Sequence, residues 1–338
     1  MKILMIKRGA LGDVLMTTPL IRQLKLQDKS ISIDFLIAKS FKSVITNNPY
    51  INNIYSIEDV WFNLKNIFRL FKVIRQLRNK YDYVFVLDKH YYFAFMASLI
   101  GGKVIGFGRD KLSKVFLTNW TFYNDLDRYQ VLYYLDLLKV TSITSPDYNN
   151  IQLDLVISDN DKSYVVNYLK MHNITNFVIV VNSGGNNQFE TSGIRMLPDD
   201  KALYLIENLA KKYIVLLIGG NFDKHKYSYY CDTLKDPQII NLAGKLSLEQ
   251  SAYIMTYAFQ IYTTDCGAMH LAISQNVDNK MICFFGPTNP NHILSANFRG
   301  QVFWSDKSTY DENYQLYGKL TTKRTFFNNL NLQKLFLN

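Results

Sequence analysis

The sequence predicts an α/β protein with two domains, each built around an open, mostly parallel sheet. The chain has 338 residues, which is long for one domain and comfortable for two. Short apolar runs that are typical of buried strands alternate with longer helical patterns. The same alternation begins again after a polar turn cluster at residues 146–150, so we place the linker in or just after that cluster.

The first half contains four predicted strands, at residues 2–6, 32–37, 83–87 and 103–106. Helical patterns between them cover residues 18–26, 63–79 and 91–99. Because neighbouring parallel strands need crossover connections, which are usually helices, this order predicts a parallel sheet that is covered on both faces.

The second half repeats this order, with predicted strands at residues 177–181, 214–218, 239–240, 261–263 and 281–285. Predicted helices cover residues 198–212 and 248–258, and a third opens within 265–270. We expect domains at 1–155 and 156–318, followed by a C-terminal helical segment at 319–338. In open parallel sheets ligands bind at the carboxyl ends of the strands, so two such domains facing each other would bring two substrates into one cleft.

The excess of Lys and Arg has two explanations, an anionic partner or the lysine-rich composition that AT-biased genomes encode. The chain holds 38 Lys and Arg against 28 Asp and Glu, a net charge of +10, which suits nucleic acid, an anionic lipid surface or a phosphorylated substrate. We expect no membrane span and no signal peptide, because no run of 18 apolar residues exists and the first apolar stretch is short. Cys231, Cys266 and Cys283 have no pairing or metal-ligand spacing, which suits a reducing cytosol.

The first candidate site is the turn Gly9-Ala10-Leu11-Gly12-Asp13, directly after the first predicted strand. It is neither a P-loop nor a dinucleotide-binding turn, since its glycines are spaced G-x-x-G. Glycines at a strand end let the backbone approach a ligand. Asp13 has two interpretations: an N-cap that accepts free helix N–H groups, or an ionised carboxylate that acts as a general base.

The second candidate site is the segment Asp265-Cys266-Gly267-Ala268-Met269-His270. Asp265 follows a predicted strand, and Gly267 allows a tight turn into a helix. The first N–H groups of that helix would bind a phosphate. The competing interpretation is a capped helix with His270 packed in its first turn.

Further glycine turns end neighbouring strands of the second half and suggest a nucleotide platform. They are Ser183-Gly184-Gly185, Gly219-Gly220 and Gly286-Pro287-Thr288. Asp223 could hold ribose hydroxyls or be a solvated surface residue. Arg195 could neutralise a diphosphate or be an exposed arginine.

The segment Trp61–Lys80 is basic, with six Lys or Arg and no acidic residue. Lys65, Arg69 and Lys72 share one helical face by their spacing. The segment is either a core helix with a solvated basic face or a patch that rests on anionic lipid headgroups.

Together these blocks resemble glycosyltransferase family 9, the ADP-heptose:lipopolysaccharide heptosyltransferases and their relatives. The resemblance rests on MKILMIKRGALGDVLMTTPLIRQLK, on NLAGKLSLEQ, on TTDCGAMHLA and on FFGPTNP, in that order, and spans residue 2 to about residue 292. It implies a GT-B fold, in which two Rossmann-like domains face each other across a cleft. We further expect the C-terminal helix to pack back on the N-terminal domain.

The resemblance also implies an inverting, metal-free sugar transfer, with the acceptor on the N-terminal domain and the nucleotide on the C-terminal one. Asp13 carries over as the general base. The implied acceptor-side residues are Gly9, Gly12, Asp88, Lys89 and His90. The implied donor-side residues are Ser183, Gly184, Arg195, Gly219, Gly220, Asp223, Asp265, Cys266, Gly267, Ala268, Met269 and His270. No metal or other cofactor is expected, and no DxD pair ends a strand.

Several positions depart from the family pattern. Leu197 stands where Trp is common, and Cys266 and Ala268 replace Ser or Thr and Pro. Asp88 and Lys89 fall where Gln-Gly is more usual. These departures leave the transferred sugar and the acceptor open.

The favoured function is transfer of heptose from ADP-heptose to a lipopolysaccharide inner-core acceptor, in the cytoplasm at the inner face of the inner membrane. The expected partners are the nucleotide sugar, an anionic lipid-linked glycan and the membrane surface, without nucleic acid. One alternative is a family relative that uses another nucleotide sugar, such as UDP-N-acetylglucosamine, or a protein or other glycan acceptor. Another is a non-catalytic sugar-nucleotide binder. A nicotinamide oxidoreductase is disfavoured, because no strand supplies its glycine motif.

Overall fold

The computed structural model describes residues 1–59, 64–124, 127–184, 193–304, 311, 314, 320 and 325–336, and only the backbone of residues 64 and 65. The chain divides into two units, Met1–Leu155 and Val156–Asn338. Two positions singled out in the sequence, Trp61 and Gly185, lie outside the described residues.

The N-terminal sheet contains six parallel strands within the described ranges. They are β1 (Lys2–Ile6), β2 (Ser32–Ala38), β3 (Asn53–Ile57), β4 (Tyr83–Val86), β5 (Lys103–Phe107) and β6 (Asn119–Thr121). Their order across the sheet is β3-β2-β1-β4-β5-β6. The winding direction changes between β1 and β4, and this switch point is where open α/β sheets bind ligands.

Helices connect these strands and cover the sheet. They are α1 (Leu11–Leu15), α2 (Thr18–Gln27), α3 (Ser43–Thr46), α4 (Leu64–Leu77), α5 (Tyr91–Ile100), α6 (Lys111–Phe116) and α7 (Gln130–Asp136), with 3₁₀ turns at Lys39–Phe41 and Leu137–Val140. One core cluster joins Leu4 and Ile6 of β1 to Ile74 of α4 and Ala97 of α5. These two helices therefore share one face of the sheet.

The C-terminal sheet repeats this topology. Its strands in the described ranges are β7 (Phe177–Val181), β8 (Ile214–Leu217), β9 (Ile239–Asn241), β10 (Ile261–Thr264), β11 (Met281–Phe285) and β12 (Gln301–Trp304). They are parallel and lie in the order β12-β11-β10-β7-β8-β9, so the winding reverses between β7 and β10. Both units thus have the Rossmann strand order.

Helices of the second unit are α8 (Asp159–Met171), α9 (Asp199–Ala210), α10 (Lys224–Leu234), α11 (Leu248–Tyr257), α12 (Gly267–Ser274) and α13 (Pro290–Ile293). Short 3₁₀ turns lie at Asn221–Asp223, Asp278–Lys280 and Leu332–Leu335. Ser247 caps α11 and exchanges hydrogen bonds with Gln250 in a capping box.

The C-terminal segment differs from the expectation. Its described part, 325–336, contains one four-residue 3₁₀ helix instead of a long helix. Phe326, Phe327, Leu330 and Leu332 are buried in the core cluster of the C-terminal sheet and α9. These residues complete the core of their own unit.

Candidate functional site

The N-terminal glycine turn leads from β1 into α1. A Cβ atom on Gly9 would lie 2.3 Å from Cε2 of Phe41, so the position requires glycine while that ring stays in place. Gly12 is buried in α1. The N-cap of α1 is Ala10, and Asp13 is the third residue of the helix, within its first turn. The N-cap interpretation of Asp13 is therefore wrong.

A buried lysine joins the carboxylate of Asp13 to a second carboxylate. Lys7 Nζ lies 3.2 Å from Asp13 Oδ2 and 3.0 Å from Asp88 Oδ1. Burial alone would lower the pKa of Lys7, but the two carboxylates outweigh it and raise that pKa well above its usual value. The backbone N–H of Arg8 donates to Asp88 Oδ2 at 2.6 Å. The lysine is therefore a fixed cation between two acids.

The other oxygen of Asp13 is held from α7. Gln130 Nε2 donates to Asp13 Oδ1 at 3.2 Å and to the hydroxyl of Tyr134 at 2.6 Å. Lys7 and Gln130 are buried, whereas the Asp13 side chain keeps 34% of its surface exposed. The result is an oriented carboxylate that is paired with a buried ammonium and partly open to solvent.

A second lysine lies nearby. Lys89 Nζ is 4.4 Å from the ring centre of Tyr123. Burial is the main cause that lowers the pKa of Lys89 to about 8, with Lys7 and Arg109 acting in the same direction and Asp13 opposing. This ammonium is the type of group that an anionic ligand would stabilise.

The predicted acceptor-side residues fall into two groups. Gly9, Gly12, Asp88 and Lys89 lie around Lys7, at the carboxyl ends of β1 and β4, where the sheet changes its winding direction. His90 is the exposed N-cap of α5, and its Nδ1 accepts the N–H of Tyr92 at 3.3 Å. Its position therefore has a structural explanation.

In the C-terminal unit, two hydrogen bonds join the ends of β7 and β10. The N–H of Ser183 donates to Thr264 Oγ1 at 3.2 Å, and this hydroxyl donates to the Ser183 carbonyl at 2.7 Å. Gly184 follows and is buried. These strands flank the switch point of this sheet, so the predicted Ser183 turn lies at a ligand-binding position.

Asp265 follows β10 and is buried with its charge satisfied. Thr288 Oγ1 donates to its Oδ2 at 2.6 Å, and Arg195 Nη1 lies 3.4 Å from the same oxygen. Arg195 Nε also donates to the hydroxyl of Tyr314 at 2.8 Å. The predicted Arg195 and Asp265 are thus brought together, and the guanidinium retains partial exposure.

The N-terminus of α12 is the predicted phosphate site. Its N-cap, Cys266, is buried and makes no side-chain capping bond, and burial raises the pKa of its thiol. Gly267 and Ala268 are half-buried, whereas Met269 and His270 pack inside. Met269 and His270 therefore position the helix, and the backbone at Gly267 and Ala268 lies nearer to solvent.

Asp223 stabilises the glycine turn after β8. Its Oδ2 accepts the N–H of Gly220 at 2.8 Å, and a Cβ on Gly219 would lie 2.6 Å from the same oxygen. Burial raises the pKa of Asp223, with hydrogen bonds from Gly220 and Ser183 opposing. The residue is buried, so the interpretation as a solvated surface aspartate is wrong.

The departure from the family pattern at Leu197 lies in the core. Leu197 is buried, and its backbone N–H and carbonyl both bind the side chain of Asn182, at 2.7 and 3.1 Å. Asn182 also donates to the hydroxyl of Tyr230 at 3.0 Å. This network joins β7 to α9 and α10.

Sequence reasoning missed Lys7, Gln130 and Thr288 as partners of site carboxylates. One feature of the sequence could have indicated that Lys7 is buried: it directly follows the apolar run of β1. Gln130 lies 117 residues from Asp13 along the chain, and no local pattern connects them.

Within the described ranges, no group of three or more His, Cys, Asp or Glu side chains could hold a metal ion. The same part of the chain contains no helix that is both long and apolar enough to cross a membrane.

Two Rossmann-type sheets in one chain, each with polar residues at its switch point, define the GT-B class of glycosyltransferase folds. The sequence model of "Glycosyltransferase family 9 (heptosyltransferase)" matches residues 70–315, and the chain belongs to this family of enzymes. The resemblance inferred from the sequence blocks is confirmed.

Comparisons with individual proteins agree with this family assignment. Lipopolysaccharide heptosyltransferase 1 of Campylobacter coli is 26% identical over 305 residues, covering 85% of this chain and 84% of the relative. A family 9 glycosyl transferase structure from Veillonella parvula gives a TM-score of 0.75 at 23% identity, covering 89% and 85% of the two chains. The structure of E. coli ADP-heptose lps heptosyltransferase II gives 0.74 at 21% identity, covering 92% of each.

Proposed function

We propose that this glycosyltransferase is an inverting, metal-independent heptosyltransferase. It transfers heptose from ADP-heptose to a lipopolysaccharide inner-core acceptor, with Asp13 as the general base. The observation that carries the proposal is the Asp13 carboxylate, held on both oxygens and one-third exposed at the β1–β4 switch point. The names of the relatives, lipopolysaccharide and ADP-heptose heptosyltransferases, support the choice of substrates.

Lys7 is paired with two carboxylates, and this arrangement suits a reaction in which one of them gains a proton. Lys7 keeps Asp13 ionised before the reaction, and Gln130 orients it. When Asp13 takes the proton of the acceptor hydroxyl, the buried ammonium of Lys7 still has Asp88 as counterion. Protonation of Asp13 therefore leaves no unpaired buried charge.

The reaction is a single displacement at the anomeric carbon. The acceptor oxygen forms a bond to that carbon as its proton moves to Asp13. The bond from the carbon to the diphosphate oxygen breaks, and nucleoside diphosphate leaves. Inversion follows from one displacement.

The donor side supplies positive charge for the leaving group without a metal. Arg195 is partly exposed beside Asp265, and the first N–H groups of α12 belong to Gly267 and Ala268. Guanidinium and helix N-terminal N–H groups both stabilise diphosphate oxygens. Ser183, Gly184, Gly219 and Gly220 provide backbone at neighbouring strand ends.

The test is nucleotide release with EDTA present. Purified protein is given ADP-heptose, UDP-N-acetylglucosamine and a GDP-sugar in turn, each with and without a lipid A–Kdo-type acceptor. The proposal predicts release of ADP that requires the acceptor and is unchanged by EDTA. Release from another donor alone would overturn the choice of sugar, and loss with EDTA would overturn metal independence. Donor binding with no turnover on any acceptor would favour a non-catalytic binder.

The acceptor class fits the charge of the chain. A phosphorylated, lipid-linked core would account for part of the net +10 and would be met in the cytoplasm, at the inner face of the membrane. An acceptor that lacks phosphate should have a higher KM than the phosphorylated core. An unchanged KM would count against a phosphorylated acceptor.

A further inference from the structure

Helices α4, α5 and α6 form a continuous outer layer on one side of the N-terminal unit. Ile74 of α4 and Ala97 of α5 belong to one core cluster, and Phe116 of α6 packs against it. The rings of Phe95 on α5 and Phe116 on α6 lie 5.2 Å apart. We call the solvent side of this layer the α4–α6 surface. Its exposed apolar residues are Phe68, Phe71, Tyr91, Phe95, Leu99, Leu112 and Val115.

Helix α5 has no charged residue at any position, yet one of its faces is exposed. Tyr91, Phe95 and Leu99 recur every four residues on that face and keep 36–40% of their surface in contact with solvent. A helix that is apolar all round is normally buried. The composition of α5 therefore indicates that another apolar phase covers this face.

Helix α4 adds the largest exposed apolar side chains of this surface. Phe68 and Phe71 are 74% and 57% exposed. Their spacing from Lys72 and Arg75, which are also exposed, places all four on one helical face. Arg69 differs, because it forms an ion pair with Glu58 at 2.6 Å. Among the described side chains of α4, Lys72 and Arg75 thus lie exposed beside two phenylalanines.

The charge of the layer has one sign. The three helices contain six Lys or Arg and no Asp or Glu. On α6, the exposed Leu112 and Val115 alternate with Lys111 and Lys114. An occupant must therefore be both apolar and anionic.

We infer that the α4–α6 surface docks on an anionic phospholipid bilayer. Aromatic and aliphatic side chains would enter the interface, and the lysines and arginines would contact the headgroup phosphates. A second copy of the chain would bring like charges together. Nucleic acid would leave the aliphatic residues of α5 and α6 without apolar contacts. The inference rests on this surface and does not depend on the identity of the donor.

Vesicle flotation tests the inference. The full chain is mixed with phosphatidylcholine vesicles or with vesicles containing 30% phosphatidylglycerol, at low and high salt. Binding is expected only to the anionic vesicles and should weaken with salt. Replacing Lys72 and Arg75 with Gln should weaken it about thirtyfold, since two cations near an anionic surface are removed. The matched control replaces Lys211 and Lys212, two exposed lysines of the other unit, and should bind as wild type.

The contribution of the exposed apolar side chains to vesicle binding is tested separately. Phe68→Ser with Phe71→Ser should reduce binding to anionic vesicles at least tenfold, whereas Phe222→Ser, at an equally exposed phenylalanine of the other unit, should not. A tryptophan at Phe71 should shift its emission to the blue on adding anionic vesicles. Equal binding by both double variants and wild type, or self-association that buries the tryptophan without lipid, would overturn the inference. Nucleotide release with detergent-dispersed acceptor should be unchanged in the Ser variant, which separates this surface from the active site.

Discussion

At the scale of single residues, Lys7 holds together the two carboxylates at the β1–β4 switch point. It is buried and neutralises Asp13 and Asp88 at 3.2 and 3.0 Å. Lys7→Met should lower the free energy of unfolding by about 3–5 kcal/mol at pH 7, because two carboxylates lose their counterion. Urea unfolding measures this change.

The control for that prediction is Lys162→Met, which removes an ion pair to the highly exposed Asp159. Solvent screens such pairs, so the free energy of unfolding should be nearly unchanged in this variant. Equal losses in the two variants would show that Lys7 is not the counterion of two partly buried acids.

A second prediction for a single residue concerns how Lys89 changes the stability of the fold with pH. Its pKa in the folded chain is about 8, lowered mainly by burial, against about 10.4 when unfolded. The unfolded chain therefore binds more protons between pH 8 and 10.4, and this residue destabilises the fold fully below pH 8 and progressively less above it. Lys89→Met should stabilise the protein by about 2 kcal/mol at pH 7, after allowing for partial exposure.

That gain should shrink as the pH rises from 8 to 10.4, which thermal or urea unfolding across this range would reveal. If Lys89 also binds an anionic acceptor, the variant should raise the acceptor KM at pH 7 without changing donor affinity. A gain that is constant with pH would contradict the shifted ionisation.

Residues differ in how far sequence predicts their roles. Asp13, Asp265 and Arg195 could be singled out because each follows or precedes a recognisable strand and turn. Their partners Lys7, Gln130 and Thr288 could not, since tertiary packing, rather than local spacing, brings them together. The sequence suggests ribose binding as one role of Asp223, and the hydrogen bond that its carboxylate accepts from the N–H of Gly220 gives it a structural role that pattern alone does not show.

At the scale of elements, the β1–α1 turn depends on a close approach of two loops. Gly9→Ala should destabilise the protein by about 1–3 kcal/mol, because its Cβ would lie 2.3 Å from the Phe41 ring. The second change Phe41→Ala should remove that clash, so the double variant should be more stable than the sum of the two single effects predicts.

Gly220→Ala is the matched control for this turn. A Cβ added at Gly220 would have Asp223 Oδ2 as its nearest neighbour, at 3.9 Å, and the φ of −78° at this position suits alanine. It should change stability by less than about 0.5 kcal/mol. If the effects of Gly9→Ala and Phe41→Ala on stability in thermal unfolding simply add in the double variant, the proposed clash between Gly9 and Phe41 would be contradicted.

The central strands could be predicted from sequence, whereas of the four edge strands only β9 could. The apolar runs at β1, β4, β7 and β11 mark strands buried on both faces. The edge strands β3, β6 and β12 were missed because they are short and half exposed, so their sequences show no continuous apolar run. The C-terminal apolar positions were found, but their helical spacing did not reveal that they fill the core of their own unit.

At the scale of the whole molecule, two sheets of the same strand order divide the chemistry. The acid, its lysine and the second basic residue lie in the N-terminal unit, at the β1–β4 switch point. The arginine and the helix N-terminus suited to a diphosphate lie in the C-terminal unit, at the β7–β10 switch point. This division supports the proposed transfer from a nucleotide sugar to a glycan acceptor.

The central claim, that Asp13 is the general base, is tested most directly by single-turnover kinetics. Wild type, Asp13→Asn and the control Asp159→Asn are saturated with ADP-heptose and mixed with the lipid-linked acceptor. Asp159 also lies in the first turn of a helix but is fully exposed. We predict at least a hundredfold loss of the transfer rate for Asp13→Asn, with donor affinity and the free energy of unfolding nearly unchanged, and no loss for the control. Transfer by Asp13→Asn at the wild-type rate would contradict the account.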